Sequence, residues 1–371
     1  MTEKYKDHLY ALVFCGGGGT RLWPYSTQDK PKQFIHIFNK KTLIRQTFER
    51  LTPLLPIERI WIVTVPDYVD EVKEELTEIP VDQILVEPAR RDTLMAAGLG
   101  AVAIQKKDPD AIIANIWSDQ VIGEPVLYRE SLLVAAKTAV ETNGLVTTGL
   151  KPAYAHPGLE YVKKGDLVKS LGKTHVYKMA KMIERPSRSG EDPKKVASDK
   201  DNLWNVGLFV WTVDTFLEIV KKNSPKVFQS LSNISKHLGK SGGREMIVKE
   251  YEKAEKMQID MPISKNMNNA YVVEGHFDWI DVGDFKVMWD IGKKDEQGNV
   301  FEALNGGEWI DYNTKNSLII SEGKRIVATV GVEDLVIVAT DNAVLVTKKS
   351  SAQDVKQIVN QLKELKKDKY L

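Results

Sequence analysis

Four consecutive glycines, Gly16-Gly17-Gly18-Gly19, follow directly on the apolar run Leu9-Tyr-Ala-Leu-Val-Phe-Cys15. So short and apolar a run suits a buried strand. Glycines at its end let the chain turn tightly and let backbone N–H groups approach an anion, since no Cβ blocks the path. An alternation continues from there. Thr42 is placed to cap a helix whose Leu43, Ile44, Thr47, Phe48 and Leu51 share one face. Residues 59–65, 83–86, 111–116 and 145–148 read as strands, and residues 66–76, 93–106 and 126–141 as the helices between them. Repeated β-α order predicts an α/β fold with a Rossmann-like mixed, mainly parallel sheet and right-handed crossovers. Ligands of such sheets bind beyond the carboxyl ends of the strands, so each functional motif is expected just after a strand.

Residues 186–193 form a polar stretch that reads as an exposed loop. Beyond about Gly292 the pattern changes. Residues 317–321, 325–330, 335–340 and 343–347 are short strands separated by Gly, Asp and Asn turns, which predicts a small C-terminal β-domain resembling coils of a β-helix. The expected division is therefore 1–292 and 293–371. Ser351-Ala-Gln-Asp354 matches a helix-start signature, and Val355, Ile358, Val359, Leu362 and Leu365 follow on one face. That stripe is expected to pack on its own domain, with a homodimer contact as the alternative. No internal repeat is visible.

Composition excludes several classes. Across 371 residues, 52 Lys+Arg balance 51 Asp+Glu, so binding nucleic acid through bulk basic charge is not expected. One cysteine permits no internal disulfide and no Cys-based zinc site, and suits a reducing, cytoplasmic setting. The polar start, Met1 to His8, is not expected to be a secretory signal, and no apolar run approaches the roughly 20 residues that cross a bilayer. The six histidines are scattered without paired metal-ligand spacing.

The glycine loop fails two phosphate fingerprints. Arg21 stands where a dinucleotide site needs its third glycine, and Gly19-Thr20-Arg21 replaces the Gly-Lys-Ser/Thr of a P-loop. What remains is a glycine loop closed by Arg21 and followed by Pro31-Lys32-Gln33-Phe34, two cations suited to a triphosphate. Phe14-Cys-Gly-Gly-Gly-Gly-Thr-Arg-Leu-Trp-Pro-Tyr-Ser26 with Pro31-Lys-Gln-Phe34 resembles the signature of the sugar-nucleotide pyrophosphorylases, in particular the bacterial mannose-1-phosphate guanylyltransferases. Glu87-Pro-Ala-Arg-Arg-Asp-Thr93, Ser118-Asp119, Glu184-Arg-Pro186, Trp204-Asn-Val-Gly207 and Asp281-Val-Gly283 match further family segments in order, and the tail resembles the family's small β-domain. The resemblance stops where the guanylyltransferase module ends, so no fused isomerase domain is expected.

The resemblance implies a nucleotidyltransferase fold of the GT-A-like type, and transfer of GMP from GTP to a sugar-1-phosphate, foremost mannose-1-phosphate, with release of pyrophosphate. Mg2+ is the implied cofactor, held by Asp119 and Asp281, with Asp278 and Asp284 as nearby competitors for the second position. Arg21 and Lys32 would bind the β- and γ-phosphates and, with Asp119, form the catalytic set. Cys15, Gly16, Gly17, Gly18, Gly19, Thr20 and Ser118 would line the nucleotide, with Glu87, Arg91 and Thr93 at its base and ribose end. Glu184 and Asn205 would meet sugar hydroxyls, and Arg185 the sugar phosphate. Trp23 and Trp204 are expected to wall the cleft, with core packing equally open for Trp204. No nucleic-acid or membrane partner is expected.

Four positions depart from the family pattern: Gln120 for a histidine, Asp92 for an asparagine, Arg185 for a lysine, and Glu160 for a glycine that lets backbone lie close to the sugar. They cluster toward the sugar side, so another hexose or a heptose phosphate stays open as substrate. A non-catalytic nucleotide-sugar sensor is the alternative from another class.

Overall fold

The computed structural model describes residues 4–38, 40–265 and 267–371. The strands are β1 (Leu9–Cys15), β2 (Ile60–Thr64), β3 (Ile84–Val86), β4 (Ile112–Trp117), β5 (Gln120–Ile122), β6 (Leu145–Leu150), β7 (Tyr161–Leu171), β8 (Thr174–Ile183), β9 (Asn202–Thr212), β10 (Ala270–Gly275), β11 (Trp279–Asp281), β12 (Val300–Leu304), β13 (Glu308–Tyr312), β14 (Leu318–Glu322), β15 (Ile326–Val330), β16 (Leu335–Ala339) and β17 (Val344–Lys348). The described residues fall into two units. The first comprises those within 4–16, 47–118 and 122–279; the second comprises those within 17–46, 119–121 and 280–371. Division by contact is thus discontinuous along the chain, whereas the expected division at residue 292 is a single cut.

The first unit is built on a nine-stranded sheet in the order β3-β2-β1-β4-β9-β6-β10-β8-β7. Its pairings make seven strands run one way, with only β8 and β9 reversed, so the sheet is mixed and mainly parallel as expected. β1 is buried along its whole length, which explains its unbroken apolar sequence. The helix Asp92–Lys107 is apolar all round, with Leu94 to Ile104 buried without a break. Its glycines show why. A Cβ on Gly98 would come within 2.4 Å of Leu231 Cδ1, and one on Gly100 within 2.2 Å of Leu12 Cδ2. The helix is therefore enclosed between β1 and the helix Pro225–His237.

The hairpin β7–β8 curls. Tyr161 at the start of β7 pairs with Ile183 at the end of β8 and also with Trp204 of β9, while Trp204 pairs with Leu150 at the carboxyl end of β6. The far end of a long hairpin is thereby returned to the edge of the sheet where parallel strands end. The expected loop at 186–193 contains the short helix Pro186–Ser189, with Pro at its first turn.

The second unit coils its strands. β12, β14 and β16 pair in parallel, as do β13 and β15, and β17 closes the larger sheet antiparallel to β16. Val300↔Leu318↔Val336 and Glu308↔Ile326 each advance the chain by 18 residues, a repeat that the sequence pattern conceals. A polar ladder marks one corner: Ser317 N donates to Asn299 Oδ1 and Leu335 N to Ser317 Oγ, each at 3.1 Å. The terminal helix begins at Val355, after a 3-10 turn over Lys349–Asp354 that takes in Ser351, so the helix-start signature lies inside that turn and not at the first residue of the helix. Val355 and Val359 are buried in the core of this unit with Leu362 packed against it, as expected of the stripe, while Leu365 is exposed.

Helix propensity alone makes Gly100→Ala stabilising by about 1 kcal/mol. The contact with the fully buried Leu12 reverses the sign. Gly100→Ala is expected to destabilise the protein by about 1–3 kcal/mol in denaturant unfolding, the usual cost of overpacking.

Candidate functional site

In the first unit the motif residues gather at the carboxyl ends of parallel strands. Gly16 follows β1, Glu87 follows β3 and Ser118 follows β4. Backbone bonds lock these exits together: Glu87 N donates to the Thr64 carbonyl at 2.8 Å, and Ser118 N and Oγ both donate to the Phe14 carbonyl. The Ser118 hydroxyl is thus spent on the fold. Cys15 is buried, its carbonyl accepting from Thr64 Oγ1 at 2.7 Å. The Gly16 carbonyl accepts from Arg90 at 3.2 Å.

Glu87 is buried, and one carboxylate oxygen accepts from the fully buried Tyr251 hydroxyl. Its other oxygen would lie 3.9 Å from a Cβ on Gly16, so the carboxyl sits beside the first glycine of the loop. Burial pushes the carboxyl up to about 7, against the hydrogen bond from Tyr251 and the charge of Arg90, which lower it, while Asp92 adds to the rise. Tyr251 has no motif around it and lies far along the chain, and no sequence signal singles it out. Arg91 places its guanidinium on the Glu252 carbonyl, and Thr93 Oγ1 accepts from Ile259 N at 2.9 Å. Both side chains fasten the segment 252–259 beneath the nucleotide-side motif. Asp92 adopts a left-handed backbone, φ +65°, and accepts from Thr93 N.

The residues expected on the sugar side lie at the returned end of the β7–β8 hairpin. Asn205 is inside β9, not after a strand as expected, and is nearly buried. Its Oδ1 accepts from Thr147 Oγ1 at 3.0 Å and Gly207 N at 3.2 Å. Arg185 Nη2 donates to Glu160 Oε1 at 3.3 Å, and Glu184 beside it is exposed. The expected aromatic walls are core residues instead. Trp204 packs with Tyr161, Ile183 and Val196, and Trp23 lies in the core of the second unit, donating to the Tyr370 carbonyl.

In the second unit, Gly17, Gly18, Gly19, Thr20, Arg21, Lys32, Asp119 and Asp281 come together from three stretches of chain. Gly19 alone of these glycines has a left-handed backbone, φ +58°, and a Cβ there would strike Lys32 Cβ and Ser26 Oγ at 2.7 Å. A Cβ on Gly17 or Gly18 would meet no protein atom within 4 Å, so the backbone is open on that side. Lys32 is buried, yet its ammonium donates to Asp281 Oδ1 at 2.8 Å and Asp119 Oδ2 at 3.1 Å. Burial alone would lower its pKa. The two carboxylates outweigh burial and hold it above the usual lysine value. Arg21 lies over Gly283, its guanidinium 3.4 Å from where a Cβ would stand. Of the competing acids, Asp284 is committed as a helix cap, accepting from Val287 N at 3.1 Å. Two carboxylates meeting on one cation are the hard oxygen donors that magnesium takes, so the donor set fits that ion.

A second group of ligand types, His8, Asp108 and Asp110, could also hold a metal ion. It lies at the amino end of β1, roughly 20 Å along the strand from the glycine loop at about 3.3 Å per residue. It borders a cavity of about 1040 Å³ lined by Lys4, His8, Asp110, Lys137 and Asp214 among others. His8 Nδ1 and Asp108 already pair at 2.8 Å. No helix among the described residues is long and apolar enough to cross a membrane.

Comparison with known proteins shows the family and the fold. The model of the nucleotidyl transferase family matches residues 10–298, and that of the MannoseP isomerase/GMP-like beta-helix domain matches residues 307–362. Mannose-1-phosphate guanylyltransferase 2 of Escherichia coli O157:H7 is 31% identical over 375 residues, covering 98% of this chain and 75% of that protein. Mannose-1-phosphate guanylyltransferase of Salmonella muenchen is 31% identical over 360 residues, covering 96% and 73%. A crystal structure from Thermus thermophilus, described as a mannose-1-phosphate geranyltransferase, superposes with a TM-score of 0.83 at 29% identity, covering 96% of this chain and 99% of that one.

The raised Glu87 carboxyl has a sign that can be measured. An unfolded chain releases this proton near the ordinary glutamate value and the folded chain near 7, so the folded state holds more protons between them. Glu87 therefore costs stability progressively as pH rises through that window. The Tm of Glu87→Gln minus that of the unsubstituted protein is expected to be larger at pH 8 than at pH 5, by thermal unfolding at both.

Proposed function

We propose that this chain, which belongs to the nucleotidyl transferase family and is an enzyme of that class, transfers GMP from GTP to mannose-1-phosphate, giving GDP-mannose and pyrophosphate. A phosphate oxygen of the sugar phosphate attacks the α-phosphorus of GTP. A new P–O bond forms there, and the bond from the α-phosphorus to the bridging oxygen of the β-phosphate breaks. The sugar phosphate arrives ionised, so no protein nucleophile is needed. Catalysis rests on positioning and on stabilising charge as two anions meet.

The observation that carries this reading is a buried ammonium, Lys32, gripped by two carboxylates and packed under the last glycine of a donor-rich loop. Gly17 and Gly18 offer backbone N–H groups to the triphosphate. Arg21 and Lys32 bind the β- and γ-phosphates and stabilise the charge that builds on departing pyrophosphate. Glu87, held by Tyr251, offers one oxygen to the N–H edge of guanine. Thr20 contributes backbone groups beside the nucleotide, and Cys15, Arg91, Thr93 and Ser118 support its walls. Arg185 meets the sugar phosphate, with Asn205 and Glu184 toward the sugar. Asp119 and Asp281 would hold a magnesium ion, which when bound supplies neutralisation of phosphate charge. The reaction needs no membrane and no nucleic acid.

The test is pyrophosphate release with magnesium, crossing GTP, ATP, UTP, CTP and dTTP with several sugar-1-phosphates. Release is expected with GTP and mannose-1-phosphate. Silence across the grid with nucleotide sugar still bound would replace this reading with a sensor. Lys32→Ala is expected to lower kcat about a hundredfold or more, the effect of losing ~3–4 kcal/mol of transition-state stabilisation. Asp119→Asn should lower turnover at fixed magnesium; unchanged turnover would remove Asp119 from the metal site.

A further inference from the structure

Glu160 stands one step before β7, and its carbonyl accepts from Asn205 N at 2.9 Å, one step beyond the Tyr161↔Trp204 pair. Residues directly opposite one another on antiparallel strands project to the same face, and successive residues to opposite faces. Tyr161 and Trp204 are both buried in one aromatic cluster. Glu160 and Asn205 therefore share the other face as neighbours.

Their hydrogen-bonding capacities are complementary. Asn205 Oδ1 is filled by two donors, one of them a backbone N–H, so that atom is the oxygen and the amide nitrogen is left as donor. Glu160 Oε1 is taken by Arg185, and no protein donor reaches its second oxygen among the described residues. The Pro157 carbonyl accepts from Ser187 N at 2.8 Å, which seats the segment carrying Glu160 against the one carrying Arg185. Asp260 faces the same cluster. Burial first and the charge of Glu160 next push its carboxyl up to about 7, while Arg185 pulls it down.

An open amide N–H donor beside an open carboxylate acceptor is what a single sugar hydroxyl requires, since a hydroxyl accepts one hydrogen bond and donates another. We infer that Glu160 is a specificity-determining residue that, paired with Asn205, reads the presence and orientation of one hydroxyl on the hexose-1-phosphate. The inference rests on the sugar end of the proposed site. The ligand class is a hexose-1-phosphate bearing that hydroxyl in one configuration, with its deoxy analogue and its epimer at the same carbon rejected. Glu160 also holds Arg185, so the group that selects the sugar steadies the group that meets its phosphate.

The experiment compares the unsubstituted protein with Glu160→Gln and Glu160→Ala. Equilibrium dissociation constants are measured calorimetrically for mannose-1-phosphate, glucose-1-phosphate, galactose-1-phosphate and the deoxy analogues of the preferred sugar, alongside kcat/KM with GTP. The unsubstituted protein is expected to reject one epimer and one deoxy analogue by about tenfold or more. That ratio should shrink in Glu160→Gln and fall to within about threefold in Glu160→Ala, with KM for GTP unchanged. Discrimination that stays the same in all three proteins, or affinity that falls equally for every sugar in Glu160→Ala, overturns the inference. Calorimetric discrimination that depends on Glu160 while no sugar supports pyrophosphate release upholds the inference and overturns guanylyl transfer.

Discussion

The second unit depends on one buried cation. Its three stretches of chain, 17–46, 119–121 and 280–371, each contribute one partner to the cluster of Lys32, Asp119 and Asp281. An ammonium removed from water without compensation would lose its proton or unfold its surroundings. Here the two carboxylates compensate, and the same pairing draws two acids into range of a single ion. Neither aspartate can be lost without leaving the lysine under-compensated.

The backbone explains how the glycine loop divides its labour. Gly19 is required by conformation, since only a residue tolerant of positive φ can pass beneath Lys32 and Ser26. Gly17 and Gly18 are required by nothing in the protein.

Much of this is legible from local pattern. The apolar run at 9–15 is a strand with those bounds, and the glycine loop, Glu87 and Ser118 follow strands as the β-α order requires. The rest lies beyond the reach of short windows. Tyr251 meets Glu87 only because the helix Gly243–Lys253, far along the chain, packs against the helix Pro225–His237, and residue type alone does not announce that. Asn205 belongs to a reversed strand, so the rule that places ligands after strand ends cannot find it. The coil repeat of the second unit is carried by register, since Asn299, Ser317 and Leu335 are chemically unlike yet occupy equivalent corners. Trp204 beside Asn205 reads as a cleft wall only until the strand's alternation, which turns neighbours to opposite faces, is known.

That alternation has an evolutionary consequence. Along β9 and the start of β7, the face that packs the aromatic cluster and the face carrying Glu160 and Asn205 are interleaved residue by residue. A lineage can exchange the polar members while every buried aromatic neighbour stays in place. Conversely, one residue inserted into this ladder would exchange the two faces at once, placing tryptophan where the polar pair stands and carboxylate in the core. Substitutions are therefore the route by which descendants of this chain can remake the polar face without disturbing the aromatic one.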